Sequence, residues 1–191
     1  MKNNRNGQAE ILSESQLEEL LNELAPNHRA SFAICYYTSC RISEALKLTA
    51  EDWVGNRIVF RASTTKTKKT RDVKVSAKLR AILDGVDLPS SGYLFPGRNG
   101  GHLTRQAADL ALRKAADYIG LKGISTHSYR RTGITKLYHA GVDLKTLQKR
   151  TGHVSLSNLA IYAYSHNFGR QLHVTSAASH SQLRQDENRQ T

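Results

Sequence analysis

The chain has 191 residues, a length that suits one domain of ordinary size. Apolar residues make up 39% of the chain, and no apolar run approaches the roughly 20 residues of a membrane-spanning helix, which argues against a membrane protein. The 28 Lys and Arg residues against 16 Asp and Glu residues give a net charge of +12, which favours an anionic partner, most often nucleic acid, over a merely soluble basic protein.

The first elements are predicted to be helices. The start of the chain, MKNNRNGQAE, is polar and lacks the apolar segment of a signal peptide, and we interpret residues 1–12 as a flexible lead-in. Ser13 begins a helix, because Gln16 follows it at the spacing of a capping box. A second apolar helix, HRASFAICYYTS, and a short one, RISEALKL, come next. Cys35 and Cys40 would point to different faces of one helix, so we expect no disulfide between them.

A β pattern replaces the helical one after residue 55. NRIVFRAS, residues 56–63, has apolar residues at alternating positions, and Val73 and Val75 repeat that period in TTKTKKTRDVKVS. We therefore predict two antiparallel strands. The loop that joins them is strongly basic, and it contains Lys66, Lys68, Lys69 and Arg71.

The second half of the chain is predicted to be helical. In TRQAADLALRKAADYIG, residues 104–120, the spacing indicates one apolar face formed by Ala107, Leu110, Ala111 and Ala115. The segments HSYRRTGITKLYHAG, DLKTLQKRTGH and SNLAIYAYS complete the helices. The fold class is thus α+β, mostly helical with one small antiparallel sheet. We place the domain at residues 13–169 and a polar tail at residues 170–191.

Six polar residues stand out as candidates for chemistry, namely Arg41, Lys66, His127, Arg130, His153 and Tyr162. Each alone has an ordinary explanation, such as a solvated loop lysine or a tyrosine in the core. Together they suit phosphoryl transfer without a metal, because an arginine presents a planar fork that matches two phosphate oxygens. A tyrosine hydroxyl can then act as the nucleophile. No set of His, Cys or carboxylate residues has metal-ligand spacing, so no metal is expected.

Spacing alone leaves one of these assignments open. His127 and Arg130 lie three residues apart and share a helical face, but Arg131 lies on nearly the same face.

The order of four segments resembles the tyrosine recombinases, the family of phage integrases and site-specific recombinases. The segments are TSCRISEALKLTAEDW around Arg41, TKTKKTRDVKV with Lys66, HSYRRTG, and TGHVSLSNLAIYAYS, and the resemblance covers residues 13–166. It selects Arg130 over Arg131. It also selects Tyr162, nine residues after His153, over Tyr164. The family often has Gly-Leu where this chain has Ser39-Cys40, and Leu at the position of Thr151.

The resemblance implies the fold, the reaction and the role of each residue. Tyr162 would attack a DNA phosphate and form a 3′-phosphotyrosine, while Arg41 and Arg130 hold the non-bridging oxygens. Lys66 would be the general acid, His127 the base or proton relay, and His153 a hydrogen-bond partner of the phosphate. No cofactor is expected.

The implied partner is a double-stranded DNA recombination site. We expect Lys68, Lys69 and Arg71 to bind DNA. The family assembles as a homo-tetramer on DNA, with a monomer as the other state of the free protein, and residues 167–191 would pack on a neighbour.

Two other functions stay open at this point. One is nicking and resealing like a type IB topoisomerase, and the other is a catalytically silent DNA-binding regulator of the same fold. A separate amino-terminal domain has no room before residue 13, so the chain is either the catalytic half of a longer protein or, as we expect, a short member. We predict a cytoplasmic, DNA-associated protein from a bacterium, a phage or another mobile element.

Overall fold

The structure, a computed structural model, describes residues 8–98 and 100–163. The helices formed by these residues are α1 Glu14–Glu23, α2 Pro26–Thr38, α3 Ile42–Ala45, α4 Ala77–Asp84, α5 Arg105–Tyr118, α6 Thr126–His139, α7 Leu144–Thr151 and α8 Ser157–Ala163. The strands are β1 Trp53–Val54, β2 Arg57–Phe60 and β3 Arg71–Lys74. The predicted mostly helical α+β fold with one small antiparallel sheet is confirmed.

The start of the domain differs from the prediction. The Ser13 capping box with Gln16 is present at the start of α1, as predicted. Leu12, however, is only 1% exposed, and its N–H donates to Thr132 Oγ1 at 2.9 Å. The predicted lead-in therefore does not extend to residue 12, because burial of the Leu12 side chain joins this segment to α6. Residues 1–7 and the predicted tail at residues 170–191 lie outside the described residues.

The sheet is antiparallel in the order β1-β2-β3. Ile58 pairs with Val73, and both are buried, as the alternating pattern predicts. The structure adds β1, a two-residue strand that pairs with β2 through Trp53 and Ile58. The basic loop predicted from the sequence connects β2 to β3.

The packing of α2 against α6 forms the centre of the core. The rings of Phe32 and Tyr129 stack there with their centroids 4.8 Å apart. One turn further along α6, a Cβ on Gly133 would lie 2.3 Å from the carbonyl oxygen of Tyr36. Only a glycine allows the two backbones to approach this closely, and the approach brings the start of α6 to the end of α2.

The buried face of α5 is rotated from the predicted one. Leu110, which we placed on the apolar side, is 49% exposed. The fully buried residues of this helix are Ala108, Leu112, Ala115 and Ala116. An alanine-rich helix offers more than one acceptable apolar face, and packing against the neighbouring helices decides between them.

The two cysteines also lie differently from the prediction. Ser39 adopts a left-handed conformation with φ of 58° and ends α2, so Cys40 is not on the same helix as Cys35. The two Sγ atoms are therefore 4.0 Å apart and buried instead of pointing apart. Both cysteines are free thiols in this structure.

A second, smaller apolar cluster holds the last helices. Ile134 of α6, Leu147 of α7 and Leu159 of α8 are its buried members. Tyr162 packs against this cluster and is half-buried. In the part of the chain that the structure describes, no helix has the length and apolar character to cross a membrane.

We expect Gly133→Ala to lower the free energy of unfolding by about 2 kcal/mol or more, since overpacking a tight core typically destabilises by about 1–3 kcal/mol. Urea unfolding measures the change. Gly85→Ala is the matched control, because a Cβ there would meet its nearest atoms at 3.6 Å and the backbone φ is −81°. Equal midpoints for the two variants would contradict the close approach of α2 and α6.

Candidate active site

Arg130 occupies the centre of the site. Its position near the start of α6 buries the guanidinium, and the residue is only 3% exposed. Nη1 donates to the carbonyl oxygen of Ser39 at 2.6 Å, and Nη2 donates to that of Thr151 at 3.1 Å. These bonds connect the ends of α2 and α7 to the start of α6. Arg131, the alternative that spacing alone left open, is less deeply buried than Arg130.

His153 lies beside Arg130 with a defined proton position. The single proton of the Thr151 hydroxyl is donated to the carbonyl oxygen of Leu147 at 2.7 Å. The same hydroxyl lies 2.6 Å from His153 Nδ1 and must accept there, so Nδ1 carries the ring proton. Arg130 Nη2 lies close to both ring nitrogens, at 3.2 Å from Nδ1 and 3.1 Å from Nε2, and with the proton assigned to Nδ1 it donates to the lone pair of Nε2.

Both of these groups have strongly shifted pKa values. Burial and the nearby guanidinium groups of Arg130 and Arg41 lower the pKa of His153 to about 3. Burial, followed by the charge of Arg41, lowers the pKa of Arg130 to about 10. At neutral pH the site therefore contains a neutral imidazole next to a charged guanidinium.

Arg41 stands at the amino-terminal cap of α3, where Glu44 orients it. The Arg41 backbone N–H donates to Glu44 Oε2 at 3.0 Å, and Nη1 donates to Oε1 at 3.1 Å. The side chain of Arg41 remains partly exposed, so part of its guanidinium is accessible to a ligand.

A cavity of about 70 Å³ lies between α3, α5 and α6. Its lining includes three arginines, Arg41, Arg105 and Arg130, together with His127, which is exposed at the start of α6. None of the described residues that line it is acidic. Such a cavity attracts an anion, and its arginine forks suit phosphate oxygens.

Tyr162 projects from α8 toward the same centre. Its ring lies beside that of His153, with centroids 6.0 Å apart, and its hydroxyl is close enough to Arg130 to interact with its charge. Tyr164, the other tyrosine of this segment, lies outside the described residues. The structure thus brings together Arg41, His127, Arg130, His153 and Tyr162.

The basic loop divides into exposed and buried residues. Lys66 is exposed in the turn between β2 and β3 and is not part of the buried cluster. Lys68 and Lys69 are also exposed. Arg71, which we predicted to bind DNA with them, instead points inward, with 8% of its side chain exposed, and pairs with Glu44.

Two residues of the site were not predicted from the sequence. Arg105 begins α5 and lines the cavity, but a lone arginine at the start of a helix carries no recognisable signal. Thr151 sets the proton position of His153. The one feature of the sequence that pointed to Thr151 was that the family usually has Leu at this position. Among the described residues, no group of three or more His, Cys, Asp or Glu side chains is placed to hold a metal ion.

The sequence of this chain is similar to those of known proteins. A model of the "Phage integrase family" matches residues 10–168. The chain is 38% identical over 157 residues to the Sinorhizobium fredii protein y4qK, covering 80% of this chain and 51% of that protein. It is 33% identical over 144 residues to the tyrosine recombinase XerC of Nitrobacter winogradskyi, covering 70% and 44%. The chain thus spans about half the length of these relatives.

Solved structures show the same fold. The catalytic domain of bacteriophage HP1 integrase superposes with a TM-score of 0.65 and 26% identity, covering 82% of this chain and 88% of that one. The XerA recombinase superposes with a TM-score of 0.72 and 20% identity, covering 87% and 63%.

We expect the imidazole of His153 to stay neutral from pH 8 down to about pH 4, which NMR titration of its ring nitrogens measures. Its folded pKa lies below the ordinary value of 6.5, so below pH 6.5 the unfolded chain binds a proton that the folded protein does not. Stability therefore falls as the pH drops from 6.5 toward 3. His153→Gln should remove this part of the pH dependence, and a ring that titrates near pH 6.5 would contradict the assignment.

Proposed function

The chain belongs to the phage integrase family, the tyrosine recombinases, and from that membership we propose that it is a site-specific DNA recombinase that cuts and rejoins DNA through a 3′-phosphotyrosine intermediate. The bond energy of the broken phosphodiester is kept in the phosphotyrosine link, so this reaction needs no nucleotide cofactor or metal. It would take place wherever the chain meets DNA, which for a bacterial or phage enzyme is the cytoplasm.

The observation that carries the proposal is that arginines outnumber carboxylates in the cluster next to Tyr162. Arg41, Arg71 and Arg130 surround the single carboxylate of Glu44. Buried charges are stable only when they are paired, so this arrangement favours a bound anion. Arg41 and Arg130 of this cluster line the cavity that Arg105 and His127 also line, and we propose that a DNA phosphodiester binds there.

Arg41 and Arg130 have the proposed role of holding the two non-bridging oxygens of the scissile phosphate. Electrostatic stabilisation of the charge that develops on these oxygens is the main source of catalysis in phosphoryl transfer. Arg130 suits the role because its hydrogen bonds to Ser39 and Thr151 fix its plane before DNA binds. Arg105, at the edge of the same cavity, would add a third contact to the DNA backbone.

The covalent step would use Tyr162 as the nucleophile. The phenolic oxygen attacks phosphorus, the bond from phosphorus to the 5′-oxygen breaks, and that oxygen leaves with a proton. A free tyrosine has a pKa of about 10, so the hydroxyl proton must pass to a base, the role we propose for His127. Attack by a 5′-hydroxyl of another strand on the phosphotyrosine then reverses the chemistry and joins the strands.

His153 is proposed to hydrogen-bond a phosphate oxygen. In the free protein Nε2 is an acceptor, so donation to phosphate requires the ring to gain a proton or to change tautomer. An anionic phosphate beside Arg130 and Arg41 would offset the positive charge that lowers the pKa of His153 and so favour the gain.

The partners follow from the same proposal. The substrate is a double-stranded DNA recombination site, with Lys68 and Lys69 of the exposed loop contacting its backbone. Strand exchange between two sites requires four active tyrosines, and we propose a homo-tetramer on DNA in which residues 167–191 pack on a neighbouring copy. The mass of the complex measured by light scattering tests this assembly.

We expect Tyr162→Phe to form no covalent adduct with DNA while its affinity for DNA is unchanged, because phenylalanine keeps the ring packing and removes only the nucleophilic oxygen. The assay is a denaturing gel of protein incubated with a nicked suicide substrate, whose sequence is selected by binding from a randomised pool. Tyr164→Phe is the matched control and should form the adduct. Loss of the adduct in the control alone would move the nucleophile to residue 164, and no adduct with the unaltered protein would indicate a silent DNA-binding regulator.

Lys66→Ala should stop cleavage of ordinary DNA but not of DNA with sulfur in place of the bridging 5′-oxygen. A 5′-alkoxide is a poor leaving group that needs a proton, whereas a thiolate leaves without one. Paired oxygen and sulfur substrates measure the rescue. Lys69→Ala, on the same loop, should show no selective rescue and should instead lower the salt dependence of binding by about 0.9 for its lost phosphate contact. Absence of sulfur rescue for Lys66→Ala would remove that residue from the general-acid role.

A further inference from the structure

Arg71 leaves the basic loop that precedes it and enters the protein. It is the first residue of β3, and only 8% of its side chain is exposed, unlike the exposed Lys68 and Lys69. The face of its guanidinium covers the Phe60 ring, with Cζ 4.5 Å from the ring centroid. A side chain held in this way cannot contact DNA phosphates in the way that an exposed lysine can.

The first partner of Arg71 is the carboxylate that orients Arg41. Arg71 Nη2 donates to Glu44 Oε2 at 2.6 Å. Oε2 also accepts the backbone N–H of Arg41, while Oε1 accepts Arg41 Nη1. Burial would raise the pKa of Glu44, but the charge and hydrogen bond of Arg71, together with the backbone N–H and charge of Arg41, outweigh that effect and lower the pKa. Glu44 is therefore held in its charged form by Arg71 and Arg41 together, and Arg71 fixes its orientation from the side opposite Arg41.

The second partner of Arg71 is the segment that carries His153. Arg71 Nε donates to the carbonyl oxygen of Arg150 at 3.0 Å, three residues before the histidine. A Cβ on Gly152 would lie 3.2 Å from Arg71 Nη1, so the guanidinium also packs against the turn itself. Gly152 adopts a φ of 67°, and this turn directs His153 back toward Arg130.

From these contacts we propose that Arg71 is a positioning residue of the site, which holds Arg41 through Glu44 and His153 through the end of α7 in one fixed arrangement. The inference rests on the proposed function. It replaces the prediction that Arg71 binds DNA. A planar guanidinium suits this task because it directs separate N–H groups at the carboxylate and at the carbonyl while it lies flat on Phe60. The single ammonium of a lysine cannot satisfy these partners together.

The experiment compares Arg71→Ala with Lys69→Ala, a control from the exposed loop. We expect Arg71→Ala to lower the single-turnover cleavage rate at saturating DNA by about 10- to 100-fold, the scale of a misplaced catalytic group. Its DNA affinity and salt dependence should be unchanged. Lys69→Ala should instead weaken binding and make it less salt-dependent, which is the behaviour expected of a lost phosphate contact. A reduced salt dependence for Arg71→Ala would overturn the proposal and restore Arg71 as a DNA contact.

A double-mutant cycle separates positioning from a general structural role. If Arg71 acts through Arg41, then Arg71→Ala in an Arg41→Ala background should lower the rate much less than it does alone. Equal losses in the two backgrounds would overturn the proposed link to Arg41. If Arg71→Ala fails to fold, the same cycle with Arg71→Lys tests the inference, because lysine keeps the charge but not the fork.

A third readout does not depend on catalysis. We expect Arg71→Lys to shift the NMR signals of the Arg41 amide and the His153 ring in the free protein, and Lys69→Ala to leave both unchanged. If the unaltered protein formed no covalent adduct, the proposed function would fail, and these shifts would still test the positioning role. Unchanged signals at both residues would overturn that role.

Discussion

The buried guanidinium of Arg130 is the interaction on which the rest of the site depends. It hydrogen-bonds the carbonyl oxygens of Ser39 and Thr151, two buried residues at the ends of α2 and α7, where the last carbonyl groups of a helix have no partner within the helix. One charged group thereby stabilises two helix ends and fixes the distance between them. This is possible only because Gly133, one turn along α6, lets that helix lie against the backbone of α2. The close packing of α6 against α2 is therefore also what places Arg130 at the centre of the site.

A single carboxylate organises the positive charge around this centre. Glu44 pairs with Arg41 on one side and with Arg71 on the other, while Arg130 is paired only with neutral oxygens and with His153. The site is therefore preorganised for a negative charge that the protein does not supply. Burial lowers the pKa of His153 most, and the arginines add to the effect because they would repel a positive charge on the ring. The charge imbalance thus helps to keep the histidine neutral, and it favours a bound anion.

Tyr162, the proposed nucleophile, is held differently from the groups proposed to bind phosphate. Arg41, Arg71 and Arg130 are held by ion pairs and hydrogen bonds, whereas Tyr162 packs on the small apolar cluster of Ile134, Leu147 and Leu159. Local stability follows the apolar surface that a segment buries, so we expect α8 to open more readily than the helices of the large core. In a recombinase this would allow the tyrosine to be engaged or withdrawn without disturbing the phosphate-binding groups.

The sequence by itself determined the features that depend on neighbours along the chain. The capping box at Ser13, the alternation of the sheet and the order of the four motifs were all readable, because caps, pleats and motif spacing are local. The motif also selected Arg130 over Arg131, and Arg130 is the arginine whose side chain is buried at the centre of the site. The tertiary structure decided what depends on distant partners. The buried face of α5 was set by the helices around it, and Cys40 approached Cys35 because the chain turns at Ser39. Arg71 looked like one more charge on a basic loop, and only folding, which brings Glu44 to it from 27 residues away, determined that its guanidinium is buried in an ion pair.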